Sequence, residues 1–265
     1  MRITLAGALG IRTIADGPAS AHGYGVAMDT RLCGWQCVAA SAAICALVLG
    51  EPGSAASPGP SQVAQELRDA LSAVPDGAHG AQLFSGICAA CHGLRGAGLD
   101  VTYAPELAGQ HARVVIKELV DFRVGLRWYD PMERIAGQHV LHTTQEIADV
   151  AAYIATMPPM PEGKFGNGQW TERGSALYAA RCRSCHGPAG EGSNALMIPR
   201  VGGQQFEYLL WQMHDAIENR RPNMKREHVE RLRSFIMEDF VGVADYMARL
   251  RPDDISAVNT AGEVR

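Results

Sequence analysis

The string Cys88-Ala89-Ala90-Cys91-His92 returns 94 residues later as Cys182-Arg183-Ser184-Cys185-His186, so the pattern C-x-x-C-H occurs twice. The residues around the two strings repeat at the same offset. The matching pairs are Gly80 to Phe84 with Gly174 to Tyr178, Gly96 with Gly190, Gly98 with Gly192, Pro105 with Pro199, and Gly109-Gln110 with Gly203-Gln204. Two copies are too few for a solenoid, so the sequence predicts one domain that has been duplicated.

The C-x-x-C-H pattern is typical of covalent haem attachment, in which two cysteines form thioethers and the histidine binds iron. A zinc ribbon would separate its cysteine pairs by about 15 to 20 residues, whereas 90 residues lie between Cys91 and Cys182. A thioredoxin-like pair would need a βαβ setting, and no sustained period-two alternation is visible. The sequence therefore predicts two covalently bound haem c groups, held by Cys88, Cys91 and His92 and by Cys182, Cys185 and His186.

Composition excludes several classes of protein. The chain has 265 residues, 47% hydrophobic and 20% charged, with a net charge of -4. This length fits one or two domains, and the charge content is not that of a disordered polyelectrolyte. A nucleic-acid-binding protein would show a basic patch, and the slightly negative net charge of this chain argues against that class. Seven cysteines cannot form a fully paired disulfide framework.

Residues 1–57 are predicted to be an N-terminal extension with a signal peptide or anchor. The apolar run from Val38 to Leu49 follows Arg31 and precedes small residues, which is the order of a secretory signal. Its 12 residues are fewer than the roughly 20 that span a bilayer. We expect cleavage and a periplasmic protein, with an uncleaved membrane anchor as the alternative. Three cysteines outside the motifs, Cys33, Cys37 and Cys45, fall in this segment.

The remaining chain is predicted to be all-α, with two tandem haem domains at residues 78–160 and 170–252. An amphipathic helix and linker (58–77) precede them, a linker (161–169) joins them, and a flexible tail (253–265) follows. Helical stripes run from Val114 to Phe122, Phe206 to Ile217 and Phe235 to Leu250, and Thr143 to Glu146 forms a capping box. Within residues 61–74 an apolar face is expected to pack on the first domain. Its members are Val63, Leu67, Ala70, Leu71 and Val74.

The sixth iron ligand decides between an electron carrier and an enzyme. Methionine opposite histidine closes the iron and raises its potential. Met132 and Met224 are the favoured ligands, because each follows an Arg and a Pro in a loop before the last helix of its domain. Met157, Met160 and Met197 are weaker candidates, while Met213, Met237 and Met247 lie on helical stripes where packing is expected. Bis-histidine ligation is disfavoured because no candidate has a partner histidine 94 residues away; these are His111, His139, His142, His214 and His228.

Two further pairs of residues have possible roles beside the haems. Pro105 and Pro199 each follow the motif histidine by 13 residues. A carbonyl at that position can accept from the imidazole N–H and orient the ring. Arg127 and Arg221 are candidates to pair with haem propionates, with plain solvent exposure as the alternative.

These strings together resemble the di-haem class I cytochromes c of the c-four type. The resemblance covers about residues 78 to 250, and it includes Ile147 to Tyr153 in the first half and Val243 to Tyr246 in the second. It implies two helical haem domains packed head to head, Met/His ligation and periplasmic electron transfer to a terminal oxidase or reductase. The long N-terminus and the helix at 61–74 depart from the family pattern.

We therefore expect an electron carrier without catalytic residues that shuttles single electrons between a membrane donor and a terminal oxidase or reductase. Its acidity favours docking on basic patches of redox partners. One alternative is the cytochrome subunit of a sulfide- or alcohol-oxidising dehydrogenase, with the helix at 61–74 as an interface. Another is a di-haem peroxidase or thiosulfate-oxidising enzyme, which would need one open or unusually ligated iron.

Overall fold

The computed structural model describes residues 59–99, 104–161 and 163–251, which fall in one compact unit. The expectations for residues 1–57 and 253–265, including those on Cys33, Cys37 and Cys45, lie outside the described residues. In the described part the secondary structure is helical apart from an isolated bridge between Ser193 and Ile198, which confirms the predicted all-α class. The helices are α1 (Pro60–Ser72), α2 (Gly77–Leu83), α3 (Ala89–His92), α4 (Ala112–Arg123), α5 (Asp130–Ala136), α6 (Thr144–Thr156), α7 (Thr171–Arg181), α8 (Arg183–His186), α9 (Phe206–Ile217), α10 (Arg226–Arg233) and α11 (Met237–Arg249).

Each domain is built on a close crossing between its first and last helices. In the first domain α2 crosses α6 at Gly80, where a Cβ would lie 2.1 Å from the backbone oxygen of Asp149. In the second domain α7 crosses α11 at Gly174, where a Cβ would lie 1.9 Å from the backbone oxygen of Gly242. Since no other residue lacks a Cβ, glycine sets how closely the helices approach in both copies.

The first core forms where α1, α4 and α6 meet. The predicted capping box is present, because the Thr143 hydroxyl accepts from the Glu146 N–H at 3.1 Å and fixes the start of α6. Helix α1 packs on this domain through Ala70, which is 1% exposed. The helix ends at Ser72, and Ala73 turns into an extended conformation before Pro75. Val74 is consequently 86% exposed, so its predicted place on the apolar face is wrong.

The last helices of the two domains, α6 and α11, are equivalent at a residue offset that differs from the one suggested by their similar sequences. The Ala-Asp pairs in α6 and α11 lie 96 residues apart in the sequence. In the structure, however, Tyr153 packs against Phe84 and Tyr246 packs against Tyr178, so these two tyrosines are equivalent, and they lie 93 residues apart. The connection before α11 is shorter than the one before α6, which shifts the helix along the chain. Packing against the first helix sets this register.

The two domains join through contacts that repeat across the interface. The Gln204 side chain accepts from the Glu106 N–H at 3.0 Å and donates to the Glu106 carbonyl at 2.9 Å. The Gln110 side chain makes the same two bonds to the backbone of Arg200, at 2.9 and 3.0 Å. Glu106 and Arg200 also form an ion pair at 3.4 Å, with side chains 5% and 9% exposed. The repeated Gly-Gln motif therefore joins the two halves of the chain.

Candidate functional site

Both C-x-x-C-H strings lie at the end of the first helix of their domains. A π-helical turn (Phe84–Cys88) leads into α3, and Cys182 directly precedes α8. Cys88 and Cys182 are half-buried, while Cys91 and Cys185 are exposed. Burial raises the pKa of Cys88 to about 12 and that of Cys182 to about 11. These two thiols are therefore protonated at neutral pH.

The loop after each string has the same hydrogen-bond pattern in both domains. The N–H of Gly98 donates to the carbonyl of His92 at 2.9 Å, and the N–H of Gly192 donates to the carbonyl of His186 at 2.8 Å. Both glycines have positive φ, and a Cβ at Gly98 would lie 2.2 Å from a backbone oxygen. The glycines thus allow the chain to fold back closely beneath each histidine.

This fold-back brings a proline carbonyl to each motif histidine. His92 Nδ1 lies 3.0 Å from the Pro105 oxygen, and His186 Nδ1 lies 3.1 Å from the Pro199 oxygen. Burial lowers the pKa of both histidines. A neutral imidazole that donates from Nδ1 leaves the Nε2 lone pair available for a metal. The contact expected from the 13-residue spacing is therefore present in both copies.

The two favoured methionines occupy different positions in their domains. Met132 is the third residue of α5 and packs, partly buried, against the first core. Met224 lies before α10, in a turn closed by its N–H and the Arg221 carbonyl at 3.0 Å, and packs against the second core. The other candidates lie as follows: Met157, Met160, Met213 and Met247 are buried in the cores, Met197 is in a loop with φ 52°, and Met237 is 39% exposed.

The Met160 sulfur also accepts from Arg95 Nη2 at 2.9 Å. Met157 and Met160 both pack in the first core.

One histidine outside the motifs lies beside a motif histidine. The ring centres of His228 and His186 are 6.3 Å apart, and the ring planes make an angle of 56°. Both rings line a cleft with Cys182 and Cys185, closed by Leu232 and Phe235. Burial, His186 and two arginines lower the pKa of His228 to about 4, so the ring is neutral. Comparison at an offset of 94 did not reveal this position.

The other histidines outside the motifs lie elsewhere. His111 Nε2 is 2.7 Å from the Glu191 carbonyl, His142 Nδ1 is 3.0 Å from the Gln138 carbonyl, and His139 is exposed. His214 lies in the last turn of α9. No described contact joins any of them to a motif histidine.

Arg127 and Arg221 form a buried polar cluster between the domains. Both donate to Glu118, at 2.7 Å from Arg127 and at 2.8 and 2.9 Å from Arg221, and both donate to Gln212 at 2.6 and 3.1 Å. Arg127 also donates to the Tyr208 hydroxyl at 2.8 Å. Although burial opposes the charged form, the two guanidinium groups lower the pKa of Glu118 to about 2. The alternative of solvent exposure for these arginines is wrong, and their hydrogen bonds to Glu118 and Gln212 join the two domains.

The residues present fit a covalently bound haem at each site. Each string offers two cysteine thiols for thioether bonds and a histidine whose Nδ1 contact leaves Nε2 for a metal. In the second domain, the cleft beside these groups is lined by Leu232 and Phe235 and by two arginines, Arg181 and Arg231. Among the described residues, no cluster of three or more His, Cys, Asp or Glu side chains is arranged to hold a metal ion directly.

Comparisons with known proteins agree with this geometry. A sequence model of the cytochrome c family matches residues 77–158 and 171–260. Cytochrome c4 from Thiocapsa roseopersicina is 32% identical over 179 residues, which are 63% of this chain and 88% of that protein. A thiosulfate dehydrogenase electron acceptor from Stutzerimonas stutzeri is 32% identical over 173 residues, which cover 62% of this chain and 78% of the relative.

Two solved structures share the fold. Reduced recombinant cytochrome c4 from Pseudomonas stutzeri has a TM-score of 0.57 and 24% identity, and the match covers 67% of this chain and all of that one. Thiosulfate dehydrogenase TsdBA from Marichromatium purpuratum has a TM-score of 0.57 and 26% identity, covering 65% of this chain and 40% of that one.

Proposed function

Since this chain belongs to the cytochrome c family, we propose that each of its two domains holds one covalently bound haem c and that the protein passes single electrons between redox partners. It is a di-haem electron carrier. One arrangement, present twice, carries this proposal: a C-x-x-C-H string whose histidine has its Nδ1 facing a proline carbonyl. The bound haem supplies one-electron exchange at its iron, and the chain supplies attachment, orientation and electrostatics.

The residues at each iron have separate tasks. His92 and His186 would bind the iron through Nε2, while the carbonyls of Pro105 and Pro199 hold each ring in one orientation by accepting a hydrogen bond from its Nδ1–H. Met132 is the proposed sixth ligand in the first domain. In the second domain the sequence supplies Met224, and the structure adds His228 as a competitor. Six-coordinate iron leaves no position for a substrate, which supports a carrier and not an enzyme.

A periplasmic location is part of the proposal. It rests on the order of charged, apolar and small residues before position 57 and on covalent attachment, which retains a cofactor outside the cytoplasm. In the described part of the chain, no helix is both long and apolar enough to cross a membrane.

The proposed partners are redox proteins, among them a membrane donor and a terminal oxidase or reductase. A specific observation favours one further donor, because a relative that is 32% identical is a thiosulfate dehydrogenase electron acceptor. A solved neighbour at 26% identity is a thiosulfate dehydrogenase. We propose such a dehydrogenase as a second candidate partner. Stopped-flow reduction of the oxidised chain by that enzyme and thiosulfate tests it, and failure to reduce either haem would exclude it.

Haem stoichiometry tests the function. The pyridine haemochromogen spectrum of the purified, exported chain should count two haems that remain after extraction with acidified acetone. The double variant Cys182→Ala/Cys185→Ala should retain one haem. The matched control Ser184→Ala, between the same cysteines, should retain two. Colourless protein, or pigment that extracts, would refute covalent attachment. Thiosulfate or peroxide turnover by the chain without a partner would refute the carrier.

A further inference from the structure

The two domains differ at the helix that faces the motif histidine. Helix α5 begins at Asp130 and helix α10 at Arg226, so the helices correspond at an offset of 96 and not 94. Met132 is the third residue of α5, and its N–H donates to the Tyr129 carbonyl at 2.9 Å. His228 is the third residue of α10, and its N–H donates to the Lys225 carbonyl at 3.0 Å. His228 therefore occupies the helical position that Met132 occupies in the first domain.

The residues that follow support the same correspondence. Four residues after Met132, Ala136 is fully buried in the first core, and four residues after His228, Leu232 is 5% exposed in the second core. A spacing of four residues lies on one face of a helix, so in both copies the ligand candidate and a core residue share a face. Met224 lies two residues before the start of α10. The residue two positions before the start of α5 is Trp128.

The distance between the two histidine rings fits a metal between them. A metal–imidazole bond is about 2 Å long, and the centre of a ring with bonds of about 1.3 Å lies about 1.1 Å from each atom. Two imidazoles on opposite sides of one metal therefore have centres about 6.3 Å apart. The centres of His186 and His228 are 6.3 Å apart. The angle of 56° between the planes is compatible, because rings on one axis can rotate about it.

The surroundings of His228 favour ligation over packing. His186 uses Nδ1 for the Pro199 carbonyl, which leaves its Nε2 for the iron. Within the described residues no hydrogen bond involves the His228 ring, which lies beside the His186 ring and lines the cleft with the two thiols. The side chains that line this cleft do not include Met224.

We propose that His228, and not Met224, is the sixth ligand of the second haem iron, so that the protein pairs a Met/His haem with a bis-histidine haem. This inference rests on the proposed function, since it assumes a haem at Cys182 and Cys185. Methionine raises the potential of a haem relative to histidine. The first haem is thus the higher-potential centre, and an electron that enters at the second domain moves on to the first.

Carbon monoxide binding to the reduced protein tests the ligand directly, because it requires an open iron. The full chain and Met224→Ala should bind none, whereas His228→Ala should bind one per chain. His214→Ala, which removes a histidine from α9 in the same domain, should bind none. Open iron in Met224→Ala and none in His228→Ala would overturn the proposal.

The oxidised spectrum provides a second readout that does not require the His228 variant to fold. Met–iron ligation gives a weak far-red band, and its whole intensity should disappear in Met132→Ala while Met224→Ala retains it. If Met224→Ala loses half of the band, His228 is not the ligand. Each of these proteins should still contain two haems per chain. A count below two would refute the proposed function, whereas a changed band with two haems bears on the assignment of His228.

Discussion

Replacement of Glu118 by glutamine tests whether the buried polar cluster of Glu118, Arg127 and Arg221 stabilises the association of the two domains. Glu118 accepts from two arginines, one from each domain, and its side chain is 21% exposed. Arg127 and Arg221 are 10% and 11% exposed. Glu118→Gln keeps the shape of the side chain and removes the negative charge, so two buried guanidinium groups would lie together without an anion.

The pKa of Glu118 gives the expected loss in the free energy of unfolding. The two arginines lower it from 4.5 to about 2 against the opposing effect of burial. At 1.36 kcal/mol for each unit, a depression of this size corresponds to about 3 kcal/mol of stability. Because the folded-state pKa is below the unfolded one, this stability is fully present above pH 4.5 and is lost as the pH falls through about 2. We expect Glu118→Gln to lower the free energy of unfolding by about 3 kcal/mol at neutral pH.

Guanidinium unfolding of the oxidised, haem-loaded chain measures the effect. The difference between wild type and Glu118→Gln should be constant from about pH 7 to pH 5 and should shrink below pH 4.5. Glu230→Gln is the matched control, because Glu230 forms an exposed i,i+4 pair with Arg226 that contributes about 0.5 kcal/mol or less. A difference below about 1 kcal/mol for Glu118→Gln, or one independent of pH, would refute the argument.

Three further measurements test other parts of the fold. Gly174→Ala places a Cβ 1.9 Å from the backbone of α11 and should lower the free energy of unfolding by about 2 kcal/mol or more, whereas Gly77→Ala meets open space and should not. Gln204→Ala removes two hydrogen bonds to the backbone of the other domain and should cost about 2 kcal/mol in denaturant unfolding. In an NMR titration, the pKa of His79 should lie above 6.5 because of its hydrogen bond to Asp149 at 2.8 Å, and Asp149→Asn should lower it. The stability from this pair is therefore present below pH 6.5 and lost as the pH rises through the raised pKa.

The position of the last helix shows where sequence comparison was insufficient. The strings Ala148-Asp149 and Ala244-Asp245 look equivalent, but the ring contacts place Tyr153 against Phe84 and Tyr246 against Tyr178, three residues away from that match. Identity of two small residues is a weak signal, while the volume of two packed rings restricts the register strongly. A different change in loop length hides the correspondence of His228 with Met132 from a comparison at a constant offset, because the connection before α10 is two residues longer than the one before α5.

The duplication was predictable from the sequence as a repeat at a constant offset of 94 residues. The attachment motifs, the helical class and the proline that faces each histidine were predictable as well. These features depend on short spacings along one chain, where a 3.6-residue period or a 13-residue loop acts locally. Tertiary packing, in contrast, brings Gln110 and Gln204 to the interface between the domains, Arg127 and Arg221 to Glu118, and His228 to His186. Partners that lie about a hundred residues apart meet through packing, and no local pattern specifies them.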